Sequence, residues 1–291
     1  MPNHALGVDV KIGYYNHAFV ETQGIGMSFG TVTAGALANL RVPQLDQRVT
    51  ITSTGEAARE AIRIQDIPPD ATGRTVQVIA LLDIEVTTDN VEELSFWAEA
   101  DGASGSVAAT LVTPPDMPDG FPRNLLFVLD EPVVDCDRVR IYVNVTGPLL
   151  EDNTVTLTAS ALWLGPLQVI TTDQGGALEE SSAYSVEDGG QVQRTSAGQV
   201  YCEPAGAIRT HSGNTVYITR TEAFGDGSGG MDVQQLMASA RTTRPILWIP
   251  DDSTEHLLHR LTIYGQMTQV GRLVPRGPYV RWEGWQVRES R

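Results

Sequence analysis

His256 and His259, in the segment EHLLH, are the residues best suited by type and spacing to hold a metal ion. A helical zinc hydrolase sets its imidazoles at i and i+4, in H-E-x-x-H, so that both face one side with a carboxylate base between them. Here the spacing is one residue short and no third ligand accompanies the pair. They read as surface or strand-edge histidines. Residues 225–230, GDGSGG, have the glycines of a cation loop, with Asp226 and Asp232 near, but the D-x-D-x-D-G…E series of oxygens is missing. The lysine and hydroxyl of a phosphate loop are missing too, and no serine stands in a G-x-S-x-G elbow. Cys136 and Cys202 form no metal-binding spacing, and in a cytosolic chain both thiols are expected to stay reduced. The expectation is a protein without enzymatic activity or cofactor. A structural calcium is compatible with acids such as Glu60, Asp66, Asp70, Asp101 and Asp152, but their spacing does not indicate one.

Binding residues are easier to find. Trp97 falls on the solvent side of an alternating segment, and Tyr14 with Tyr15 sits near a glycine-rich stretch. Exposed aromatics stack on sugar rings and on partner proteins alike, so these three are the candidate ligand contacts. The competing reading has Trp97 packed under the N-terminal segment. Near the C-terminus Trp282 and Trp285, read as core or subunit-contact residues, join Arg241, Arg244, Arg272 and Arg276 as candidates for an assembly interface.

Charge supports that choice. The net charge of −16 argues against nucleic-acid binding, which needs a basic face to meet phosphates. Residues 1–240 carry 12 basic and 31 acidic groups, a balance of −19, whereas residues 241–291 carry 8 and 5, a balance of +3. Either this is a local excess of arginine on a solvated surface, or the arginine-bearing end of one copy meets the acidic body of another. No apolar run reaches the ~18 residues of a membrane span, and the first residues lack the layout of a secretory signal. The expectation is synthesis in a cytoplasm without membrane insertion.

The elements that must position these residues are strands. Val139, Ile141, Val143 and Val145 alternate with Arg138, Arg140, Tyr142 and Asn144, and the alternation resumes at Val155, Leu157, Ala159, Ala161 and Trp163. A two-residue period marks half-buried antiparallel strands, here read as a long hairpin. TVQVIALLDIEV, with Val76, Val78, Ala80, Leu82, Ile84 and Val86 on one side and Ile79 and Leu81 on the other, suits a central strand. About eight strands within some 125 residues predict an antiparallel β-sandwich or jelly roll. MDVQQLMASAR is read as a helix near 231–241, because Val233, Leu236, Met237 and Ala240 share one face. TVYITRTEAF is read as a strand. The fold class is therefore mainly β, with four parts: an arm at 1–37, a jelly roll at 38–168, a linker at 169–197, and a smaller β-rich assembly domain at 198–291.

Three features in this order resemble the galactose-binding-like (discoidin-type) jelly rolls of tailed-bacteriophage tail proteins. Asn39-Leu40 leads to a short strand ending at Ser53, VQVIALLDIEV is followed by a turn, and RVRIYVNV…ALWLGP closes the unit. A tryptophan common before the early serine in that family is replaced here by Val49 or Ile51. The later series Ser196, Gly198, Gln199 and Tyr201, then residues 245–251 and 263–265, looks like the second domain of phage minor tail proteins. The resemblance implies a virion component of the tail tip or baseplate. Its partners would be other tail proteins and copies of itself in a symmetric ring, with host attachment through a surface glycan as a further role. The alternative expectation is a carbohydrate-binding module that recognises a cell-surface glycan.

Overall fold

The computed structural model describes residues 9–20, 25–54, 60–66, 74–89, 93–103, 105–108, 123–146, 154–170, 177–179, 182–188, 191–194, 200–203, 207–215, 217–225, 231–240, 244–251 and 253–290. The chain forms two compact units. One comprises residues 15–116 and 122–167, the other residues 1–14, 117–121 and 168–291. Strand β1 (Val10–Gly13) belongs to the second of these.

Among the described residues the first unit holds α1 (His17–Val20), a 3-10 turn (Leu37–Arg41) and twelve strands. These are β2 (Ile25–Phe29), β3 (Thr31–Ala34), β4 (Val49–Thr54), β5 (Glu60–Asp66), β6 (Thr75–Leu82), β7 (Glu85–Asp89), β8 (Glu93–Gly102), β9 (Gly105–Ala108), β10 (Leu125–Val134), β11 (Arg138–Thr146), β12 (Thr154–Ala159) and β13 (Ala161–Gly165). One layer is the antiparallel sheet β2-β5-β11-β8-β9. The other is built from β3-β4-β12-β7 and β10-β6-β13, which share two chain segments because β6 runs on into β7 and β12 into β13. Both layers contribute to one core: Phe96, Ile141 and Val143 from the first, and Ile51, Leu81 and Leu157 from the second. This is an antiparallel β-sandwich.

Two readings of residues 139–164 are corrected by these pairings. The strands β11 and β12 do not form a hairpin: β11 pairs with β5 and β8, while β12 pairs with β4 and β7 in the opposite layer. Each has a single apolar face, so alternation fixes strand character but leaves the partner open; the turn at 147–153 lies outside the described residues. The inward phase also slips at Ser160. Val155, Leu157 and Ala159 are followed in the core by Leu162 and Leu164, while Trp163 is buried on the other side against Phe19. The cause is a kink shared by both long segments. Asp83, at φ 50, accepts a bond from the Ser160 hydroxyl at 3.1 Å, and its amide donates to Asn124 at 2.9 Å. The guanidinium of Arg48 pairs with the same carboxylate. The kink shifts the core-facing set from Leu81 to Ile84, and an earlier shift from Val76 to Ile79 lies opposite the register irregularity between Val128 and Val133 of β10, so the core-facing residues are not one unbroken even-numbered set.

The second unit adds β14 (Leu167–Ile170), β15 (Ala183–Asp188), β16 (Gln191–Arg194), β17 (Val200–Glu203), β18 (Ala207–Asn214), β19 (Ile218–Thr219), β20 (Pro245–Ile249), β21 (Ile263–Arg276) and β22 (Tyr279–Glu289). Its helices are α2 (Arg220–Phe224), α3 (Val233–Ser239) and α4 (Glu255–Leu261). The main sheet runs β14-β1-β20-β21-β22-β18-β15, with β19 on β22. Residues 1–37 are thus not one arm. Val10 and Ile12 alternate with Lys11, are fully buried, and hold β1 antiparallel to β20, whereas α1, β2 and β3 belong to the sandwich. The segment 169–197 likewise contains a sheet strand, β15.

The strand read through to Phe224 ends at Thr219, and Arg220–Phe224 is helix α2. Thr219 and Glu222 form a reciprocal capping box, which satisfies orphan donors of the first turn and overrides a weak alternation. Asp232 caps α3 by accepting from Gln235 at 2.7 Å. His259 lies in α4, only 3% exposed, so it is not a surface histidine.

Candidate functional site

The outer face of the sheet β2-β5-β11-β8-β9 gathers the polar and aromatic residues left out of the core. Alternation along β8 turns Phe96, Ala98 and Ala100 inward and Trp97, Glu99 and Asp101 outward. On β11 it turns Val139, Ile141 and Val143 inward and Arg138, Arg140 and Tyr142 outward. The register sets Tyr142 beside Trp97, Arg140 beside Glu99, and Arg138 beside Asp101. Directly opposed side chains in an antiparallel pair are within reach of one another, so one aromatic pair and two opposite-charge pairs stand in a row.

The first pair is an aromatic stack with ring centroids 4.7 Å apart and planes inclined by 18°. Tyr142 is buried beneath it and Trp97 is half-buried. Beyond the stack runs a rail of charges. Arg140 donates to Glu99 at 2.9 Å and to the Tyr142 hydroxyl at 3.1 Å, and it also pairs with Asp101. The Tyr142 hydroxyl donates to Glu99 at 3.0 Å. Arg138 reaches Asp101 at 2.6 Å, and Ser106 on β9 donates to Asp101 at 2.5 Å and to Glu99. Burial pushes the Asp101 carboxyl up, but hydrogen bonds from Ser106, Arg138 and Arg140 outweigh it and hold the group below its ordinary value. A carboxylate held ionised in this way is a poor general acid near neutral pH and a good anchor for hydroxyl donors.

Of the residues expected from sequence, Trp97 is at this face. Among the described residues that follow Tyr14, β2 lies in the same sheet as Trp97, separated from β8 by β5 and β11; residues 1–8 and 21–24 of the N-terminal segment lie outside the described residues. Tyr15 is elsewhere, with its backbone against Gly165 of β13 in the opposite layer and its ring edge-on to His17 at 5.0 Å. Tyr14 is half-buried against the core of the other unit, where burial raises its pKa.

Trp282 and Trp285, for which the sequence leaves core and subunit contact open, are core residues 0% and 1% exposed. Strict alternation would place them on opposite faces. An irregularity at Gly284, φ 70, turns both inward to pack on Trp248. Arg244, Arg272 and Arg276 are exposed, and Arg241 lies outside the described residues.

Sequence reasoning did not single out Glu99, Ser106, Arg138, Arg140 and Tyr142 as a site. The outward phase of β11 was readable from the alternation, but the cross-strand register that assembles the row was not.

No protein-family model matches this sequence, and no curated protein matches it significantly. Among solved structures, the N-terminal cellulose-binding domain from Cellulomonas fimi β-1,4-glucanase C is similar at 12% identity, covering 58% of this chain and 98% of that one, with a TM-score of 0.27. So loose a superposition assigns neither fold nor ligand to this chain.

Proposed function

We propose that the protein is a non-enzymatic binding and structural component of a tailed-phage virion, whose sandwich sheet face takes up a saccharide. The observation behind the saccharide reading is the half-buried Trp97 indole lying parallel to Tyr142 beside the Glu99–Arg140–Asp101–Arg138 rail. A pyranose has an apolar C–H face ringed by hydroxyls. An aromatic ring accepts the first, and carboxylates with guanidiniums accept from and donate to the second. Because the rail is already internally paired, its side chains are held in place before a ligand arrives, which lowers the ordering cost of binding. The acids are engaged by arginines, which suits holding a ligand and not moving a proton.

The virion setting rests on the sequence resemblance at residues 38–166 and 196–265. In that setting the chain sits at the tail tip or baseplate, contacts other tail subunits and copies of itself, and meets the host surface. Several weak sites acting together would then supply the attachment.

A glycan array probed with the full chain, followed by calorimetry on the best oligosaccharide, tests the saccharide reading. Trp97→Ala is expected to weaken binding by at least about tenfold, a loss of about 1.4 kcal/mol, and Trp97→Phe to recover part of it. An array with no response from the intact chain ends that reading. Negative-stain images of particles labelled on this protein test the setting separately: label at the tail tip supports it, and particles without label remove it.

A further inference from the structure

We propose that the outward face of the β21–β22 hairpin docks on the acidic sandwich of a second copy of this chain. The register pairs Arg272 with Glu283, Val274 with Arg281, and Arg276 with Tyr279. Between these rungs Leu273 pairs with Trp282 and Pro275 with Val280. Trp282 and Val280 are buried and Leu273 packs on the core, so those rungs face inward and the first three face outward.

Among the described residues the outward face is short of acid: Glu283 lies opposite three guanidiniums, at 3.1 Å from Arg272, 3.4 Å from Arg281 and 4.0 Å from Arg276. Arg281 has a second partner in Glu179. The side chains of Arg272 and Arg276 keep 77% and 56% of their exposure, so one shared carboxylate leaves most of their hydrogen-bonding capacity to solvent. At the tip, Tyr279 and Tyr217 stand 6.2 Å apart, 39% and 45% exposed. Arginine and tyrosine together are what desolvated interface cores select.

Charge complementarity names the occupant. The sandwich unit, residues 15–116 and 122–167, contains 8 basic and 20 acidic residues, a balance of −12 of the chain's −16. A positive strip on one unit and an acidic surface on the other make a head-to-tail contact between copies. Such a contact leaves each end free to accept another copy until a ring closes. This inference needs neither the saccharide reading nor the virion setting.

Sedimentation velocity on the full chain, over a range of concentrations at ~50 mM and ~500 mM salt, tests it, because contacts between charged surfaces weaken as the screening length shrinks. The expected result is oligomers that grow with concentration at low salt and dissociate at high salt. The double variant Arg272→Glu with Arg276→Glu should associate at least about tenfold more weakly, since reversed charges oppose the acidic partner, while Arg272→Lys with Arg276→Lys retains most of the association. Both positions are largely exposed, and circular dichroism confirms that the variants fold. A chain that stays monomeric at low salt overturns the proposal, as does association indifferent to charge reversal. A monomer that instead binds heparin through these arginines also overturns it, because the occupant is then another polyanion.

Discussion

His211 shows what a buried environment does to one titratable group. The indole Nε1 of Trp248 donates to its Nδ1 at 2.9 Å, and the rings of Trp248 and Trp285 meet it edge-on. Burial pushes its pKa from 6.5 down to about 4. A donor aimed at Nδ1 needs the lone pair there, so the folded chain holds the imidazole neutral while the unfolded chain takes up a proton below pH ~6.5. The linkage sign follows: this contribution to stability is complete above pH ~6.5 and is lost as pH falls toward ~4, a total of about 3 kcal/mol at ~1.4 kcal/mol per pH unit. Urea midpoints measured from pH 7.5 to 4.5 should fall across that window, and His211→Gln should flatten the slope. The depressed carboxyl of Asp101 acts in the separate window below about pH 4, where its protonation removes the bonds from Ser106, Arg138 and Arg140.

Two glycines in the β21–β22 hairpin separate conformational strain from steric overlap at the level of the element. Gly271 and Gly277 have φ of 76 and 66, both in the left-handed region that favours glycine. A Cβ at Gly277 meets nothing within 4 Å, whereas one at Gly271 would stand 2.5 Å from the Glu283 carbonyl and 2.8 Å from the Trp282 indole nitrogen. Gly277→Ala is therefore expected to cost about 1–2 kcal/mol, the left-handed penalty alone. Gly271→Ala should cost more than that, because a strand and a core tryptophan must also give way. Thermal melts of the two variants check the order, and equal losses would mean the hairpin yields freely at residue 271. The Trp282 indole donates to the Val270 carbonyl at 2.7 Å, so the damage should be visible in the near-ultraviolet signal of the tryptophan cluster.

At the scale of the whole molecule, each unit closes its own core, and within one copy the arginine strip and the saccharide face lie on different units. Sites that share no partners add their effects, so saccharide affinity is expected to be the same, within experimental error, in Arg272→Glu with Arg276→Glu as in the parent chain. Calorimetry at high salt, where copies are apart, reads this directly; a changed affinity would mean the two surfaces are coupled. The sequence by itself determined that the chain is mainly β, that Trp97 leaves its core face, that a helix lies near 231–241, and that an arginine-rich end follows an acidic body. These are local matters, because side-chain period and capping are set by residues a few positions apart. It did not determine that β11 and β12 lie in opposite layers, that Val10 and Ile12 fill a sheet with β20, or that Trp282 and Trp285 share one core. Nor did it bring Glu99, Arg140 and Tyr142 into one row. Those depend on which apolar face meets which and on the register of strands distant in sequence, and alternation carries no label for its partner.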